Sequence, residues 1–233
     1  MAADQGRAPQ VHSAELLEQK LAQIRSCRLC RDAPSGQPLP HEPRPVLQVS
    51  AQARLLICGQ APGVRVHASG MPFTDPSGDR LRDWLSLGTE TFYDCNKVAI
   101  VPMGFCFPGL DARKADLPPR KECRITWHDD LFALMPRIET VIVVGSYARA
   151  YHFARAGFSD RLRAPLTQSV QNWRDFAQVQ PRLFPLPHPS WRNSGWLKRN
   201  PWFERDVLPP LRASVARAVS DSFGRLAINE DSN

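Results

Sequence analysis

Four short apolar runs, with helical patterns between them, constrain the fold of this chain most strongly. The runs are Arg54–Cys58, Lys97–Val101, Thr140–Val144 and Arg182–Leu186. Continuous apolar runs of this length are typical of parallel strands whose two faces are both covered by helices. The sequence therefore predicts an α/β fold, a three-layer sandwich around a central, mainly parallel, four-stranded sheet.

The helical patterns and the polar ends of the chain set the limits of one domain, which we predict over residues 13–220. Ser13 is the expected N-cap of a first amphipathic helix. Residues 1–12 are predicted to be a disordered leader, and residues 221–233 a flexible tail. A chain of 233 residues is long enough to bury a full core.

Capping signals place a helix in the first third of the domain. Asp75 is the expected N-cap and Pro76 the first helical residue. The segment that leads up to Phe73 is predicted to be a loop. Further helices are predicted around 170–177 and from about Pro201 onward.

The composition favours a polyanionic partner. Lys and Arg number 30 against 23 for Asp and Glu, which gives a net charge of +7 and a pI near 9.4. No apolar run is long enough to cross a bilayer, and the N-terminus lacks the apolar segment of a signal peptide. We therefore expect a monomeric, soluble, cytoplasmic protein that is nucleoid-associated if the cell is bacterial.

The stretch from Leu183 to Phe203 combines a rigidly placed histidine with aromatic and basic residues. Pro187 and Pro189 bracket His188, so the imidazole is expected at a fixed exit from the last strand. Tryptophans then alternate with basic residues, namely Trp191, Arg192, Trp196, Lys198, Arg199 and Trp202. Such a mixture suits stacking on bases and neutralising phosphates. The alternative is a surface loop whose tryptophans pack onto the domain and whose charges face water.

Three short motifs lie where the predicted strands end. Gly59-Gln-Ala-Pro-Gly63 follows the first strand, Gly70-Met-Pro-Phe73 comes shortly after it, and His188-Pro-Ser190 follows the last strand. Open α/β folds place their binding sites at this carboxyl edge of the sheet. In order and separation, the motifs resemble those of the uracil-DNA glycosylase superfamily. The resemblance is closest to its iron–sulfur, family-4-like branch and covers most of the chain.

The resemblance implies a monofunctional DNA N-glycosylase of base excision repair that flips out uracil, or a related deaminated base, and hydrolyses its N-glycosidic bond. The first motif would line the pocket with Gly59, Gln60, Ala61, Pro62 and Gly63. Phe73 would stack under the base, although it could instead be an ordinary core aromatic. His188 would stabilise the negative charge on the leaving base. The resemblance also implies that Ser190, Trp191 and Arg192 bind the substrate, and that a loop after Ser190 enters the DNA duplex with Trp191 or Arg192 filling the space that the base leaves.

The chain departs from the branch at its carboxylate positions. Gln60 stands where the branch commonly has Glu, and Ala61 where the best-known glycosylases have the carboxylate that activates water. Gln60 and Asp75 are therefore the further candidate catalytic residues, although Asp75 also suits an N-cap. Other substitutes on the same loop are Asp79 and His67.

The residue that would read the base is also missing from its expected place. No Asn occurs in the second strand, and Asn96, just before that strand, is the remaining candidate for contact with the base. Two alternatives therefore stay open. One is a non-catalytic member of the superfamily that binds lesions or DNA. The other is a nucleotide- or RNA-binding protein that uses the same pocket.

Four of the six cysteines form a candidate set of metal ligands. Cys27 and Cys30 are a CxxC pair, and Cys106 and Cys123 flank a Pro-rich loop. The iron–sulfur branch has the same layout, and the resemblance implies that these four residues hold a structural [4Fe–4S] cluster. Zinc would accept the same ligands, and four unliganded thiols are the remaining alternative. The other two cysteines are expected to be ordinary buried residues; they are Cys58 and Cys95.

Overall fold

The computed structural model describes residues 7–220 and, within the first helix, side chains from residue 14 onward. The strands are β1 (Leu55–Cys58), β2 (Val98–Ile100), β3 (Thr140–Val144) and β4 (Arg182–Leu186). They form one parallel sheet in the order β2-β1-β3-β4. The predicted α/β fold with a four-stranded parallel sheet is therefore confirmed.

The helices cover both faces of this sheet. In the first half of the chain they are α1 (Arg7–Arg25), α2 (Leu29–Asp32), α3 (Val64–Ser69), α4 (Pro76–Leu85) and α5 (Thr89–Tyr93). In the second half they are α6 (Lys121–Cys123), α7 (Asp129–Ala133), α8 (Gly145–Arg155), α9 (Leu166–Gln171), α10 (Trp173–Phe176), α11 (Ser194–Arg199) and α12 (Leu208–Val219). Wider π-helical turns lead into α7 (Arg124–His128) and α12 (Phe203–Val207), and short 3-10 turns cover Ser159–Arg163 and Trp191–Asn193.

Alternate strand residues face opposite sides of the sheet and build two core layers. On one side, Leu56 of β1 belongs to a buried cluster with Leu21 of α1 and Phe153 of α8. On the other side, Ile57 belongs to a cluster with Leu211 of α12 and with α4. This arrangement is the predicted three-layer sandwich.

Helix α4 begins as its capping signal predicts. Asp75 Oδ1 accepts hydrogen bonds from the backbone N–H groups of Ser77 and Gly78, each at 3.1 Å, and Pro76 is the first helical residue. The side chain thus binds two amide groups that have no partner within the helix. The N-cap prediction for Asp75 is confirmed.

Several predicted boundaries are wrong. Helix α1 begins at Arg7, so Ser13 lies inside it and residues 7–12 are helical rather than part of a leader. The predicted helix around 170–177 is interrupted at Asn172. Helix α11 occupies part of the predicted loop after His188. Residues 1–6 of the predicted leader and the predicted tail at 221–233 lie outside the described residues.

Helix α3 occupies the segment that was predicted to be a loop before Phe73. The guanidinium group of Arg44 donates to the carbonyl oxygens of His67 at 2.7 Å and Ala68 at 2.6 Å, at the carboxyl end of this helix. A cation that is distant in the sequence therefore satisfies the last carbonyl groups of a short helix.

Within residues 7–220, none of the helices combines the length and apolar character that crossing a bilayer requires.

Candidate active-site pocket and cleft

The first motif continues the sheet beyond the end of β1. The backbone N–H of Met103 donates to Gly59 O at 3.0 Å, and that of Gly104 donates to Gln60 O at 2.9 Å. The side-chain amide of Gln60 donates weakly to Leu117 O, at 3.4 Å. These bonds hold the Gly59–Gly63 loop against the chain that follows β2.

His188 follows β4 in a turn that Asn193 and Arg80 hold by hydrogen bonds. Asn193 Nδ2 donates to the backbone carbonyl oxygen of His188 at 2.7 Å. From α4, Arg80 Nη1 donates to Ser190 O at 2.8 Å, and Arg80 Nη2 donates to Ser194 Oγ at 3.4 Å. The turn that carries the imidazole is therefore attached to α4, the helix that Asp75 caps.

The imidazole of His188 is half-buried and favours its neutral form. Burial lowers the pKa of His188, and the carboxylates of Asp75 and Asp116 only partly oppose this effect. No described side chain or backbone group forms a hydrogen bond with the imidazole. At neutral pH the ring can therefore donate one N–H to a ligand.

Phe73 lies in a loop with an unusual backbone conformation. Its φ angle is +55°, in the left-handed region that residues other than glycine rarely adopt. The Tyr93 hydroxyl and Arg82 Nη1 each donate to Phe73 O at 3.2 Å. The ring is half-buried and lies edge-on to Phe92, with the ring centroids 6.1 Å apart. Phe73 thus packs against the core and also lines the pocket described next.

The predicted site residues meet in two adjoining cavities. An inner pocket of about 90 Å³ is lined by Gly59–Gly63, Phe73, Asp75 and His188, among others. An outer cleft of about 570 Å³ shares part of this lining and adds Ser190, Trp191 and Arg192. The residues common to both cavities are Gln60, Ala61, Gly63, Asp75, Ser77, Asp116 and His188.

Asp116 is a pocket residue that the sequence did not reveal. It lines both cavities, and its Oδ2 lies 3.5 Å from the position that a Cβ atom on Gly63 would take. Its side chain stays exposed to the cleft. Even so, the loss of water around the carboxyl group raises the pKa of Asp116, and Arg192 and His188 oppose this effect. Both cavities therefore contain a carboxyl group besides that of Asp75.

A tight hairpin holds Asp116 in place. Leu110 and Asp116 form an antiparallel bridge. Between them, Asp111 Oδ1 accepts the backbone N–H groups of Arg113 at 2.8 Å and Ala115 at 2.9 Å. Lys114 takes a left-handed conformation with φ +59°. The hairpin therefore fixes the backbone that carries the carboxyl group.

The outer cleft is basic and carries one exposed aromatic side chain. Arg65, Lys114 and Arg192 are exposed basic residues in its lining. Trp191 is 74% exposed, and the guanidinium carbon of Arg192 lies 5.9 Å from a ring centroid of Trp191. This combination suits an anionic, aromatic ligand such as a nucleic acid.

The other tryptophans of the predicted aromatic surface face the domain. Trp196 packs at the edge of the core against Trp202 and Phe203, and its Nε1 donates to Thr167 Oγ1 at 2.8 Å. Trp202 Nε1 donates to Asn200 Oδ1 at 3.1 Å. Of the three interleaved tryptophans, only Trp191 is placed to stack on a ligand, so the alternative of packing tryptophans holds for Trp196 and Trp202.

Three further sequence candidates lie outside the pocket. Asn96 precedes the amino end of β2, at the sheet edge opposite to the pocket, and accepts a hydrogen bond from Ser50 Oγ at 2.8 Å. The prediction that Asn96 contacts the base is therefore wrong, because parallel strands direct their amino ends away from the site. Asp79 pairs with Arg82 on the exposed side of α4. His67, on α3, packs against His41.

The four candidate metal ligands come from three segments and are neighbours. Cys30 and Cys123 share a hydrogen bond between their thiols, which lowers the pKa of Cys30 and raises that of Cys123. Burial raises the pKa of Cys106 to about 12, and its neighbours include both Cys27 and Cys30. The backbone N–H of Phe105 points at Cys123 Sγ, 3.4 Å away.

This donor set fits a soft metal centre in its chemistry, since thiolates are the ligands of iron–sulfur clusters and of structural zinc. Over residues 7–220, however, no three or more His, Cys, Asp or Glu side chains have the arrangement of a closed metal site. Of the other two cysteines, Cys58 is buried as expected, whereas Cys95 is exposed.

The chain was compared with models of known protein families. Residues 47–212 match the family described as the uracil DNA glycosylase superfamily. The matched region is more than half of the chain and contains all three motifs, the outer cleft and the inner pocket apart from Val46. It begins after Cys27 and Cys30 and does not distinguish the branches of the superfamily. This chain belongs to the uracil DNA glycosylase superfamily.

Proposed function

We propose that this protein is a monofunctional DNA N-glycosylase that removes uracil or a related deaminated base in base excision repair. The observation that carries this proposal is that His188 and the Gly59–Gly63 backbone share one pocket beside a basic cleft. A base inside a duplex stack is out of reach, so the nucleotide must turn outward before its glycosidic bond can be cut. The cleft would hold the flanking phosphates while the base enters the pocket.

His188 would act on the leaving base. When the glycosidic bond breaks, the bonding electrons leave with the base, which becomes an anion. A neutral imidazole can donate its N–H to a carbonyl oxygen of that base, where the negative charge collects. The half-buried position of His188 strengthens this interaction, because little water competes for the same oxygen. Phe73 would stack on the base and keep that oxygen in place.

Asp116 would act on the water molecule that attacks the sugar. A water molecule must attack the positively charged sugar carbon and lose a proton as its oxygen forms the new bond. The Asp116 carboxylate can hold that water, accept its proton and offset the charge on the sugar. The leaving base then takes up a proton from solvent and Asp116 releases its proton to solvent, which balances the hydrolysis and restores the carboxylate. Asp75 is less suited to this role because its Oδ1 already accepts hydrogen bonds from α4.

We further propose that a [4Fe–4S] cluster is the cofactor. Cys27, Cys30, Cys106 and Cys123 would hold it and so tie the N-terminal segment to the loop after β2. A cluster bound there would supply structural cross-linking rather than hydrolytic chemistry. Zinc on the same thiolates is the alternative metal.

An excision assay tests the activity. Single- and double-stranded oligonucleotides that carry uracil, hypoxanthine or xanthine would be incubated with the protein, and alkali would then cleave any abasic product. We expect excision from at least one substrate, and the loss of most of it in His188→Ala.

One observation favours a second function, which is lesion or DNA binding without catalysis. Gln60 and Ala61 stand where related enzymes carry carboxylates. This alternative predicts tighter binding to a deaminated site than to a matched normal site, with no abasic product. Anisotropy measurements on the same oligonucleotides would separate it from the enzyme, and a protein that neither excises nor discriminates would contradict both functions.

A further inference from the structure

A second basic cavity lies beside the active-site cleft. We call it the lateral cleft and define it by Pro118, Arg120, Lys121, Arg124 and Tyr147. Its volume is about 390 Å³. It shares no lining residue with the inner pocket or the outer cleft. It is therefore a separate feature of the surface that the proposed hydrolysis does not use.

The lateral cleft opens at the same edge of the sheet as the pocket. Met103 in its wall comes soon after β2, and Tyr147 comes soon after β3. The active-site loops follow β1 and β4, so all four carboxyl ends of the strands contribute to one edge. Met103 N–H donates to Gly59 O at 3.0 Å, and this bond joins the walls of the two sites.

One short segment of chain separates the two clefts. Asp116 lines the active-site cleft, and Pro118 and Arg120 line the lateral cleft. The four residue-to-residue steps from Asp116 to Arg120 can span at most about 14 Å even when fully extended. A single extended strand of nucleic acid that passes Asp116 can therefore reach the lateral cleft within a few nucleotides.

The carboxylate of Glu122 interacts electrostatically with Arg120 of the lateral cleft. No salt bridge joins Arg120, Lys121 or Arg124 to a residue in the described part of the chain, and no Asp or Glu lines the cavity. The two nearby acids, Glu122 and Asp129, also have partners outside the cleft. Glu122 accepts the backbone N–H of Ser35 at 2.9 Å, and Asp129 pairs with Arg155. Three like charges around one concave surface repel one another, so they favour an anion from outside the chain.

An exposed aromatic ring accompanies these charges. Tyr147 lies in the first turn of α8 and is 42% exposed, while the neighbouring Tyr151 is buried and hydrogen-bonded to Asp129. A tyrosine ring that is open to solvent beside these cations suits an unstacked base with its phosphates. A fully paired duplex offers no such base.

We propose that the lateral cleft binds the flank of the DNA strand whose damaged base enters the pocket. The phosphates contact Arg120, Lys121 and Arg124, and one unpaired base stacks on Tyr147. This inference rests on the proposed function, because that function supplies the strand. It predicts that the protein holds a long single strand better than a short one, and better than a duplex of the same length.

Binding of undamaged oligonucleotides tests the lateral cleft without requiring excision. Fluorescence anisotropy would compare single strands of roughly 4 and roughly 16 nucleotides, which bracket the usual site sizes. The test variant replaces Arg120, Lys121 and Arg124 with Gln. The matched control removes the same charge from three exposed arginines that line neither cleft, namely Arg25, Arg163 and Arg217.

For the long strand, we expect the test variant to lower the slope of log affinity against log salt by about 2, because each phosphate contact on a single strand contributes roughly 0.7. The short strand and the control should change little. Tyr147 is far from the proposed metal ligand Cys123 in the sequence, unlike the three basic residues. Tyr147→Ala should weaken binding of the long strand about tenfold, with less effect on a duplex. Equal slopes for the test and control variants, or equal Tyr147→Ala effects on single strand and duplex, would overturn the proposal.

The same measurements separate this proposal from the proposed function. If the wild type excises a base while the lateral variants bind like the control, the lateral cleft alone is refuted. If the wild type excises nothing but keeps a length dependence that the test variant loses, the glycosylase activity alone is refuted. Thermal unfolding and visible absorbance of each variant show whether the fold and any cluster near Cys123 are intact.

Discussion

The carbonyl oxygen of Phe73 lies only 1.8 Å from the position that a Cβ atom on Gly78 would take. The loop that presents Phe73 to the pocket therefore rests directly on the first turns of α4, and only a glycine leaves room for it. Gly78 also donates its backbone N–H to the capping carboxylate of Asp75. The aromatic wall of the pocket thus depends on a residue that never touches a ligand.

Gly78→Ala should destabilise the protein by about 2 kcal/mol, because the added methyl group cannot fit without moving the Phe73 backbone. The better helix propensity of Ala would recover only about 1 kcal/mol. Gly88→Ala is the matched control, since nothing lies within 4 Å of its added methyl group. Thermal unfolding of both variants checks the prediction, and equal midpoints would contradict it.

His188→Ala should slow excision roughly a hundredfold and leave DNA binding nearly intact, because one donor to the developing anion is lost. Asp75→Ala should have the opposite balance, with a smaller kinetic effect and a stability loss of about 1 kcal/mol from the lost helix cap. Single-turnover rates and unfolding curves for both variants provide the measurement. The reverse ranking would give the catalytic role to Asp75.

Asp116→Asn should slow excision without destabilising the protein. The folded-state pKa of Asp116 is raised by burial, so its ionised form opposes folding once the pH rises through that pKa. Removing the charge therefore preserves or raises the melting temperature at neutral pH. In the wild type, protonation of Asp116 should reduce the rate on the acid side, at a higher pH than for an unperturbed Asp because its pKa is raised. A wild-type pH profile that persists in Asp116→Asn would remove this residue from the mechanism.

Salt dependence should distinguish the cations that line the cleft from those beyond it. Lys114 and Arg192 line the outer cleft, whereas Lys198 and Arg199 lie on α11 outside its lining. Replacing Lys114 and Arg192 with Gln should make the slope of log affinity against log salt less steep by about 2 for duplex DNA, since each phosphate contact contributes roughly 0.9. The second pair, changed in the same way, is the control. Equal changes for both pairs would mean that DNA does not follow the cleft.

Anaerobically purified protein should be brown and contain about four irons per chain. Cys123→Ser should lose most of this iron, because its thiol neighbours those of Cys30 and Cys106. Cys95→Ser is the control, since Cys95 is exposed and outside the proposed ligand set. Stoichiometric zinc without iron would identify the alternative metal, and a folded protein without metal would end the ligand assignment.

The sequence predicts those features that local patterns encode. Apolar runs such as Thr140–Val144 identify the strands, and Asp75 followed by Pro76 identifies the start of α4, because each depends on neighbouring residues alone. Helix α3 is different, since its last carbonyl groups are satisfied by Arg44, some twenty residues earlier in the chain. A pattern confined to the helix itself cannot contain that information.

The candidate site likewise contains residues that local sequence patterns predict and residues that they do not. His188 and the Gly59–Gly63 loop follow strands, so the direction of the sheet brings them together. Asp116 reaches the pocket through a hairpin that closes on Leu110 and folds back over Gly63, and no periodic signal marks it. Trp196 looks like Trp191 in the sequence, and only the tertiary packing separates the two.

The hydrogen bonds of Arg80 affect how a base could enter the pocket. They attach the turn after His188 to α4, while Asp75 and the Phe73 loop occupy the start of the same helix. Phe73 and His188 are therefore attached to the same helix, and we expect the two walls of the pocket to move together rather than to close on each other. Under the proposed function, such a pocket would capture bases that open by themselves, so mispaired and unpaired lesions should be removed before well-paired ones.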